Sequence, residues 1–564
     1  MSSWFLRGSC LSVLLLAACT GDIGEAGQDG TASVPGGQGP SSLAGESVTG
    51  VGGMAFMRLS HTQWEAGAKL ALRPVTPPAV SLPRIASTRF VFDTDELSLS
   101  VGEPTVNQFR DAAELYGDAA VADAQWMTRL LPAGAPATGS ARTDAFVNAL
   151  LLRTFRRPPT PDELQKFSAL VAAGTGADDA ERFKNGVRQA MVAALQMPDF
   201  SYRIGVGASE DIKASPVGGR IPLTAYELAS RLSLALFDAP PDEAMLMSVG
   251  RGEWGSPDKY AARLDEALTD PRAKVGLLKF HEQLYFADQY AAQSKDIAKY
   301  PSFEAGLGSH LREDMLRTVE DVLSTGGGVS ELLSTRIAFV NVHSARTYGL
   351  NVSDFSETYK RVELGPERAG VLTRAGWASW GAGTTERRQI LRGLAMLHNV
   401  LCESYPTGEP QAFPATYAPE LKTSRKRLES VVGSGSCKAC HETIINPKGY
   451  LFEHFDAAGV YQTTDNTEPV DASGRITLDG IAVEFKDHTE LMPKLAASKQ
   501  AQTCYARRMS HYFWGYEHST MEDVLVASVE KKLSTQHLSA RDVARIVFAN
   551  SAFTTRKMTE AVKP

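Results

Sequence analysis

Apolar residues recur every three or four positions through most of the chain after residue 54. The clearest run, LTAYELASRLSLALF, begins at Leu223 and carries a capping-box pair, Thr224 and Glu227, at its start. A second run follows Asp270-Pro271, and a third, GSHLREDMLRTVEDVLS, ends before the glycines at 326–328. Because this spacing is that of an α-helix with one buried face, the sequence predicts a mainly α protein of many helical segments.

Strand-like alternation of apolar and polar residues is scarce. Its clearest instance is GRITLDGIAVEF, at residues 474–485. Asp479-Gly480 lies at its centre, and this dipeptide is typical of two-residue hairpin turns. We therefore expect one small β-hairpin there.

Two distant stretches have similar patterns. Residues 146–203 begin with FVNALLLRTFRRPPTPDE and end with MPDFSYR, whereas residues 504–556 begin with CYARRMSHYFWGYEHSTMED and end with FANSAFTTR. In both, a helical pattern, an acidic turn and a second helical pattern end in Phe-x-x-Arg. The sequence predicts two similar helical hairpins.

The N-terminus has the features of an export signal. Arg7 precedes an apolar run, residues 11–18, that is too short to span a bilayer but suits a secretory signal. Leu-Ala-Ala-Cys, ending at Cys19, resembles the lipobox of bacterial lipoproteins. That resemblance implies cleavage before Cys19 and lipid on this residue, and Thr20 after it favours the outer membrane. The alternative is a plain signal peptide with an incidental cysteine.

Residues 20–53 contain eleven glycines and are expected to form a flexible tether. No later stretch is long and apolar enough to predict a transmembrane helix. The net charge is −7, without a long basic run, so the sequence gives no support for a nucleic-acid partner. We expect a folded body outside the cytoplasm, attached to the membrane through the N-terminal lipid.

The motif Cys-Lys-Ala-Cys-His at residues 437–441 is the pattern of c-type haem attachment. In this interpretation Cys437 and Cys440 carry the thioether bonds of a covalent haem c, and His441 is the axial ligand of the haem iron. A zinc site is a weaker interpretation, because a second pair of ligands is missing from the sequence. A disulfide or redox pair between the two cysteines is the third interpretation.

Two further cysteines remain for the exported body. Cys10 leaves with the signal peptide, Cys19 is assigned to the lipid, and Cys402 and Cys504 are left after the haem motif. We expect a disulfide between them that closes a loop around the haem motif; two buried free thiols are the alternative.

The order of motifs resembles a family of large secreted bacterial proteins, abundant in planctomycetes and myxobacteria, built from consecutive domains of unknown function that accompany cytochrome c modules. The motifs that carry this resemblance are RTFRRPPTPDEL, LTAYELASRLSLALFDAPPDE, FVNVHSARTYGL, CKACHETIINPKGY and CYARRMSHYFWGYE. The resemblance implies cysteines at the positions of Cys402 and Cys504, but no settled activity.

The predicted organisation has seven parts. They are a lipoprotein signal peptide (1–19), a flexible tether (20–53), a degenerate N-terminal segment (54–140), a helical hairpin domain (141–210), a central helical domain (211–360), a cytochrome c-like domain with the haem motif (361–478) and a C-terminal helical domain (479–564).

Side chains around the motif suggest further roles. We expect a carbonyl near Pro447 to accept a hydrogen bond from the His441 ring and to fix its tautomer. Arg387, Arg388 and Arg392 are expected to meet haem propionates or to form a solvated helix face. The sixth ligand of the iron is left open among Met492, Met509, His454, His488 and His511.

These observations favour an envelope protein that binds one c-type haem and transfers electrons to an unknown redox partner protein. Two alternatives stay open: a haem-dependent peroxidase-like or oxidase-like enzyme, and a non-enzymatic envelope scaffold with a structural disulfide instead of haem.

Overall fold

The computed structural model confirms a mainly α protein. It describes residues 56–80, 82, 90–95, 98–99, 102–214, 219–404, 417–435, 437–515 and 519–557. The predicted signal peptide, Cys19 and the tether lie outside these residues. None of the helices in the described ranges is both long and apolar enough to span a membrane.

The helices between His61 and Ser201 form a first helical unit around a core of their own. Trp64 lies at its centre, fully buried, and its ring contacts those of Phe109 and Phe200 at centroid distances of 5.4 and 5.5 Å. The predicted segments 54–140 and 141–210 therefore share one core. The elements are β1 (Phe56–Arg58), α1 (His61–Leu72), α2 (Glu103–Ala120), α3 (Trp126–Leu130), α4 (Gly139–Phe155), α5 (Pro161–Ala172), α6 (Asp179–Gln196), α7 (Pro198–Ser201) and β2 (Tyr202–Ile204).

The central region adds seven helices and three short strands within the described residues. Thr224 and Glu227 form the predicted capping box at the start of its second helix. The elements are α8 (Ser209–Ala214), β3 (Arg220–Pro222), α9 (Ala225–Leu236), α10 (Glu243–Gly250), α11 (Pro257–Thr269), α12 (Ala273–Leu284), α13 (Leu307–Ser324), α14 (Val329–Leu332), β4 (Ile337–Val340) and β5 (Lys360–Glu363). Short 3-10 helices cover Ala287–Ala292, Ala345–Tyr348, Val352–Asp354, Pro366–Arg368 and Val371–Thr373.

The region with the haem motif contains short helices and two hairpins. The predicted hairpin is present, with Asp479 and Gly480 as its turn and Leu478 opposite Ile481. The elements are α15 (Ala375–Trp380), α16 (Gln389–Ala395), α17 (Ser424–Val432), α18 (Cys437–Cys440), α19 (Asn446–Tyr450), β6 (Thr464–Asp465), β7 (Glu468–Pro469), β8 (Gly474–Leu478) and β9 (Ile481–Phe485), with π-helical turns at Met396–Leu401 and His441–Ile445.

The C-terminal region packs on the central one and completes a single large core. That core extends from Phe92 to Phe553 and joins the predicted segments 211–360, 361–478 and 479–564. The elements are α20 (His488–Ala497), α21 (Lys499–Trp514), α22 (Ser519–Leu533), α23 (Ala540–Ala549), α24 (Ser551–Thr554) and β10 (Thr555–Lys557).

The two sequence stretches with similar patterns also have similar structures. In the first, α4, α5 and α6 are followed by the one-turn helix α7 and by β2; in the second, α21, α22 and α23 are followed by the one-turn helix α24 and by β10. Strand β2 pairs antiparallel with β1, and β10 pairs antiparallel with β3.

The residues that follow β1 and β3 extend this similarity. Leu59 donates its amide to the carbonyl of Ser201 at 2.8 Å, and Leu223 donates its amide to that of Thr554 at 3.1 Å. The next residue in each case begins a helix through a capping box. The chain therefore contains an internal structural repeat in which a short strand pair joins the start of one helix to the end of a segment of three successive helices.

Candidate functional site

The haem motif occupies one continuous helical segment. Cys437 and Cys440 lie on the single turn of α18, which continues through the π-helical turn at His441–Ile445 into α19. Both thiols are free and partly exposed, and the His441 ring is also partly exposed. Residues three and four positions apart are neighbours on a helix surface, which is the spacing of Cys437 from Cys440 and from His441.

Asn446 holds the ring of His441. Its side-chain oxygen lies 3.0 Å from Nδ1 of His441, and its side-chain nitrogen donates to the Tyr450 hydroxyl at 3.2 Å. An amide oxygen can only accept a hydrogen bond, so in this orientation of the Asn446 amide the ring donates from Nδ1. The expected partner near Pro447 is thus a side-chain oxygen rather than a backbone carbonyl.

Cys402 and Cys504 form a disulfide. Their Cα atoms are 5.3 Å apart, and the bond joins the end of the π-helical turn at Met396–Leu401 to α21. The expected disulfide, which closes a loop around the haem motif, is confirmed. The bond leaves Cys437 and Cys440 as the free thiols of the described residues.

The zinc interpretation gains no support from the described residues. Within them, no group of three or more His, Cys, Asp or Glu side chains is arranged to hold a metal ion. The donor set of the motif itself, two thiols and one imidazole, is the set that covalent haem attachment uses.

A small apolar cluster lies beside the thiols, apart from the two large cores. Its buried members are Leu428, Val432 and Tyr450, and Cys437 packs against it together with Ile390 and Val431. A porphyrin joined to Cys437 therefore has apolar side chains next to its attachment point. The donor set and this cluster together fit a c-type haem.

Helix α16 supports the motif by very close packing. A Cβ atom added to Gly393 would lie 2.3 Å from the carbonyl oxygen of Ile445, and one added to Gly449 would lie 2.1 Å from that of Gln389. Neither distance is compatible with a side chain. The two glycines therefore let the helices touch backbone to backbone, which fixes the height of His441 above α16.

Arg392 anchors the segment that follows the motif. Its guanidinium donates to the carbonyls of Phe452 (2.9 Å), Phe455 (3.1 Å), Ala378 (2.6 Å) and Asp456 (3.2 Å), and the side chain is fully buried. Burial lowers the pKa of Arg392 to about 10. The expectation that it meets propionates or solvent was wrong, because four backbone acceptors hold it inside the protein.

Arg387 is also buried, and the same expectation was wrong for it. Its Nη1 lies 3.2 Å from Glu453 and 3.0 Å from Asp465, and each of the three side chains is nearly inaccessible to water. Burial raises the pKa of Glu453 although Arg387 and Arg392 lie against it. The pair of contacts joins the loop before α16 to the segment after the motif.

A buried ion pair connects the motif to the disulfide. The Lys448 ammonium, 3% exposed, lies 2.9 Å from the carboxylate of Glu403, the residue after Cys402. Gln500, on the other side of the disulfide, donates to the same carboxylate at 3.1 Å. Helix α19, the disulfide and α21 are therefore joined through Glu403.

The five candidates for the sixth ligand are engaged elsewhere. His488 lies 2.8 Å from the carbonyl of Glu367, and His454 lies 2.8 Å from that of Gln462. His511 contacts Asp95, and Met492 and Met509 are fully buried in the large core. The structure therefore brings together Cys437, Cys440 and His441, but these contacts do not identify a sixth ligand.

The sequence did not predict that Asn446 contacts the His441 ring or that Tyr450 supports this contact. In a regular helix, residue 446 would not lie beside residue 441, because five positions correspond to more than one turn. The π-helical turn at His441–Ile445 is wider and brings Asn446 under the imidazole. The sequence carries no signal for such a turn.

Three family models match consecutive segments of the chain. PSD5, a protein of unknown function (DUF1595), matches residues 142–204; PSD4, a protein of unknown function (DUF1592), matches residues 223–350; and PSCyt3, a protein of unknown function (DUF1588), matches residues 368–465. This succession is a known cytochrome-c-associated domain arrangement, and the PSCyt3 match contains the haem motif. No curated protein and no solved structure matches the chain.

Proposed function

We propose that this protein binds one haem c covalently through Cys437 and Cys440, with His441 as axial ligand, and passes electrons to a redox partner protein. The observation that carries the proposal is the placement of two free thiols and an imidazole within five residues of one continuous helical segment. The match to a cytochrome-c-associated domain over the same residues supports it.

A haem bound there would supply an iron that alternates between the ferric and ferrous states. The residues of this chain have the supporting tasks. The two sulfurs fix the porphyrin to α18, the apolar cluster beside Cys437 keeps water from one side of the attachment point, and α16 with Arg392 holds the segment rigid. A rigid, partly exposed site suits electron transfer to a partner that docks from solvent.

The proposal includes an envelope location. Lipid on Cys19 would attach the body to the membrane, in our proposal the outer membrane, through residues 20–53. Growth with labelled palmitate tests this: the wild type is expected to incorporate label and to sediment with membranes, whereas Cys19→Ala should do neither. Label in both forms, or in neither, contradicts the lipid anchor but leaves the haem proposal intact.

The haem itself is tested by maturing the full chain together with a haem-attachment system and measuring its mass and absorption spectrum. We expect the mass of the polypeptide plus one haem and a Soret band that survives denaturation. The double variant Cys437→Ser, Cys440→Ser should have neither. A wild-type mass without haem, or a disulfide between Cys437 and Cys440, overturns the proposal and leaves the envelope scaffold as the function.

A haem-dependent peroxidase-like function is the second candidate. The observation that favours it is that His454, His488 and His511 make hydrogen bonds elsewhere and that Met492 and Met509 are buried in the large core. A high-spin spectrum with turnover of hydrogen peroxide would support this candidate, since an open iron position allows peroxide to bind. A low-spin spectrum without turnover supports electron transfer alone.

A further inference from the structure

We propose that Asn446 is a positioning residue that selects the Nδ1–H tautomer of His441 and sets the reduction potential of the bound iron. This inference rests on the proposed haem function. The carrying contact is the 3.0 Å distance between the Asn446 side-chain oxygen and His441 Nδ1.

Asn446 is held firmly enough to determine the state of the ring. Its side chain is only 2% exposed, so it does not exchange its partners for water. The amide nitrogen donates to the hydroxyl of Tyr450 at 3.2 Å, which turns the amide oxygen towards His441. Both ends of this buried amide are hydrogen-bonded, which holds it in place with its oxygen facing His441.

Tyr450 is itself fixed by neighbouring elements. It is buried in the apolar cluster beside Cys437, and the Arg425 guanidinium lies 4.2 Å from the centre of its ring. Arg425 in turn donates to the carbonyls of Asp471 (3.2 Å) and Ser473 (2.8 Å). The orientation of the His441 ring is thus set by a chain of contacts that extends through Tyr450 and α17 to the segment before β8.

The chemical consequence follows from the type of acceptor. A hydrogen bond from Nδ1–H to an amide oxygen leaves Nε2 unprotonated and makes it more basic, and a more basic axial nitrogen stabilises ferric iron. Removing the acceptor should therefore raise the potential, and replacing it with a carboxylate should lower it.

The first experiment needs no haem. In the full-length protein isolated without haem, with its thiols kept reduced, ¹⁵N NMR of the imidazole at neutral pH reports which ring nitrogen carries the proton. His441→Gln identifies the signal. We expect Nδ1–H in the wild type and in Asn446→Asp, and a change towards Nε2–H in Asn446→Leu.

The second experiment uses the matured protein. Asn446→Leu should raise the equilibrium constant for reduction about threefold to tenfold, since one hydrogen bond is lost; tenfold corresponds to ~59 mV for a one-electron couple. Asn446→Asp should shift the potential in the opposite direction, and Tyr450→Phe should shift it in the same direction as leucine but less.

Asn399→Leu is the matched control. Asn399 is also buried, but it donates to the carbonyl of Leu284 and lies outside the motif segment. It should lose stability without changing the tautomer or the potential. Two outcomes would overturn the inference. One is a wild-type ring protonated at Nε2, which an inverted Asn446 amide would produce. The other is an equal reduction potential in the leucine and aspartate variants. Absence of haem would overturn the proposed function but not the tautomer result.

Discussion

Single buried charges, rather than exposed ones, organise the region around the haem motif. Arg392 supplies four backbone carbonyls with donors, and Arg387 contacts two buried carboxylates. A buried carbonyl without a donor costs about 1–3 kcal/mol. Arg392 therefore satisfies the backbone of a segment that has little regular secondary structure, and Arg387 ties two of its carboxylates to the loop before α16.

Replacing Arg392 with leucine should lower the free energy of unfolding by about 3–5 kcal/mol, because four buried acceptors lose their donor together. Denaturant unfolding followed by circular dichroism measures the loss. Arg541→Leu, on the exposed side of α23, is the control and should stay within about 0.5 kcal/mol of the wild type. Equal stability of both variants would contradict the anchoring role of Arg392.

His281 makes stability depend on pH. It is fully buried between the carbonyl of Leu277 (2.7 Å) and the hydroxyl of Tyr505 (2.8 Å), and burial lowers its pKa from 6.5 to about 4. Above pH 6.5 the ring is neutral in both the folded and unfolded states. Between pH 6.5 and 4 only the unfolded state binds a proton, so the free energy of unfolding decreases as the pH falls.

We expect this single group to contribute a slope of up to about 1.4 kcal/mol per pH unit in that window. His281→Gln should remove that part of the slope, measured by urea unfolding between pH 4.5 and 7. The inference about His281 fails if its variant keeps the wild-type slope.

At the level of elements, the position of the motif depends on the contact between α16 and α19. Gly393 of α16 lies against the backbone of Ile445, just before α19, and Gly449 of α19 lies against the backbone of Gln389 in α16. Any side chain at either position would separate the helices and shift the turn that carries His441. The requirement is purely steric, because neither glycine has a positive φ.

Gly449→Ala should therefore destabilise the protein by about 1–3 kcal/mol, the usual cost of overpacking, and should reduce the yield of attached haem. Gly255→Ala is a matched control, because its added Cβ would meet nothing within 4 Å. Thermal unfolding together with haem content per polypeptide measures both effects. Haem content equal to that of the control would show that the motif tolerates a displaced α19.

Local chemistry makes some of these elements predictable. Thr224 with Glu227, and Asp479 with Gly480, determine a helix start and a hairpin turn through contacts within four residues, and both predictions were confirmed. Strand β1, in contrast, has three residues and pairs with a strand more than 140 positions away. Its formation depends on tertiary packing, so no local pattern predicts it.

The residues of the candidate site also differ in whether local sequence predicts their role. The spacing of Cys437, Cys440 and His441 is local and could be read directly. The contact to Asn446 requires a π-helical turn, and the burial of Arg392 requires the surrounding segments, so neither was predictable. Residues whose role depends on distant partners become visible only in the folded chain.

At the scale of the whole molecule, the disulfide connects the region of the haem motif to the C-terminal helices. Cys402 and Cys504 are separated by 102 positions, and this interval contains the motif, α17 and the hairpin β8–β9. Glu403 extends the connection, since it binds Lys448 on one side and Gln500 on the other. The disulfide thus limits how far the motif can separate from α21 when the structure opens.

Removing this cross-link should destabilise the protein through the unfolded state. Closing a loop of this length is worth about 4–5 kcal/mol in a chain-entropy model, so the double variant Cys402→Ser, Cys504→Ser should unfold at a clearly lower denaturant concentration. Glu403→Gln is the companion variant: it weakens the contact to Lys448 but keeps the cross-link, so its loss should be smaller. The reductant dithiothreitol should lower the stability of the wild type towards that of the double variant and leave the double variant unchanged. If the reductant changes neither protein although thiol titration shows that the bond is broken, then contacts within the core, rather than the cross-link, hold the motif against α21.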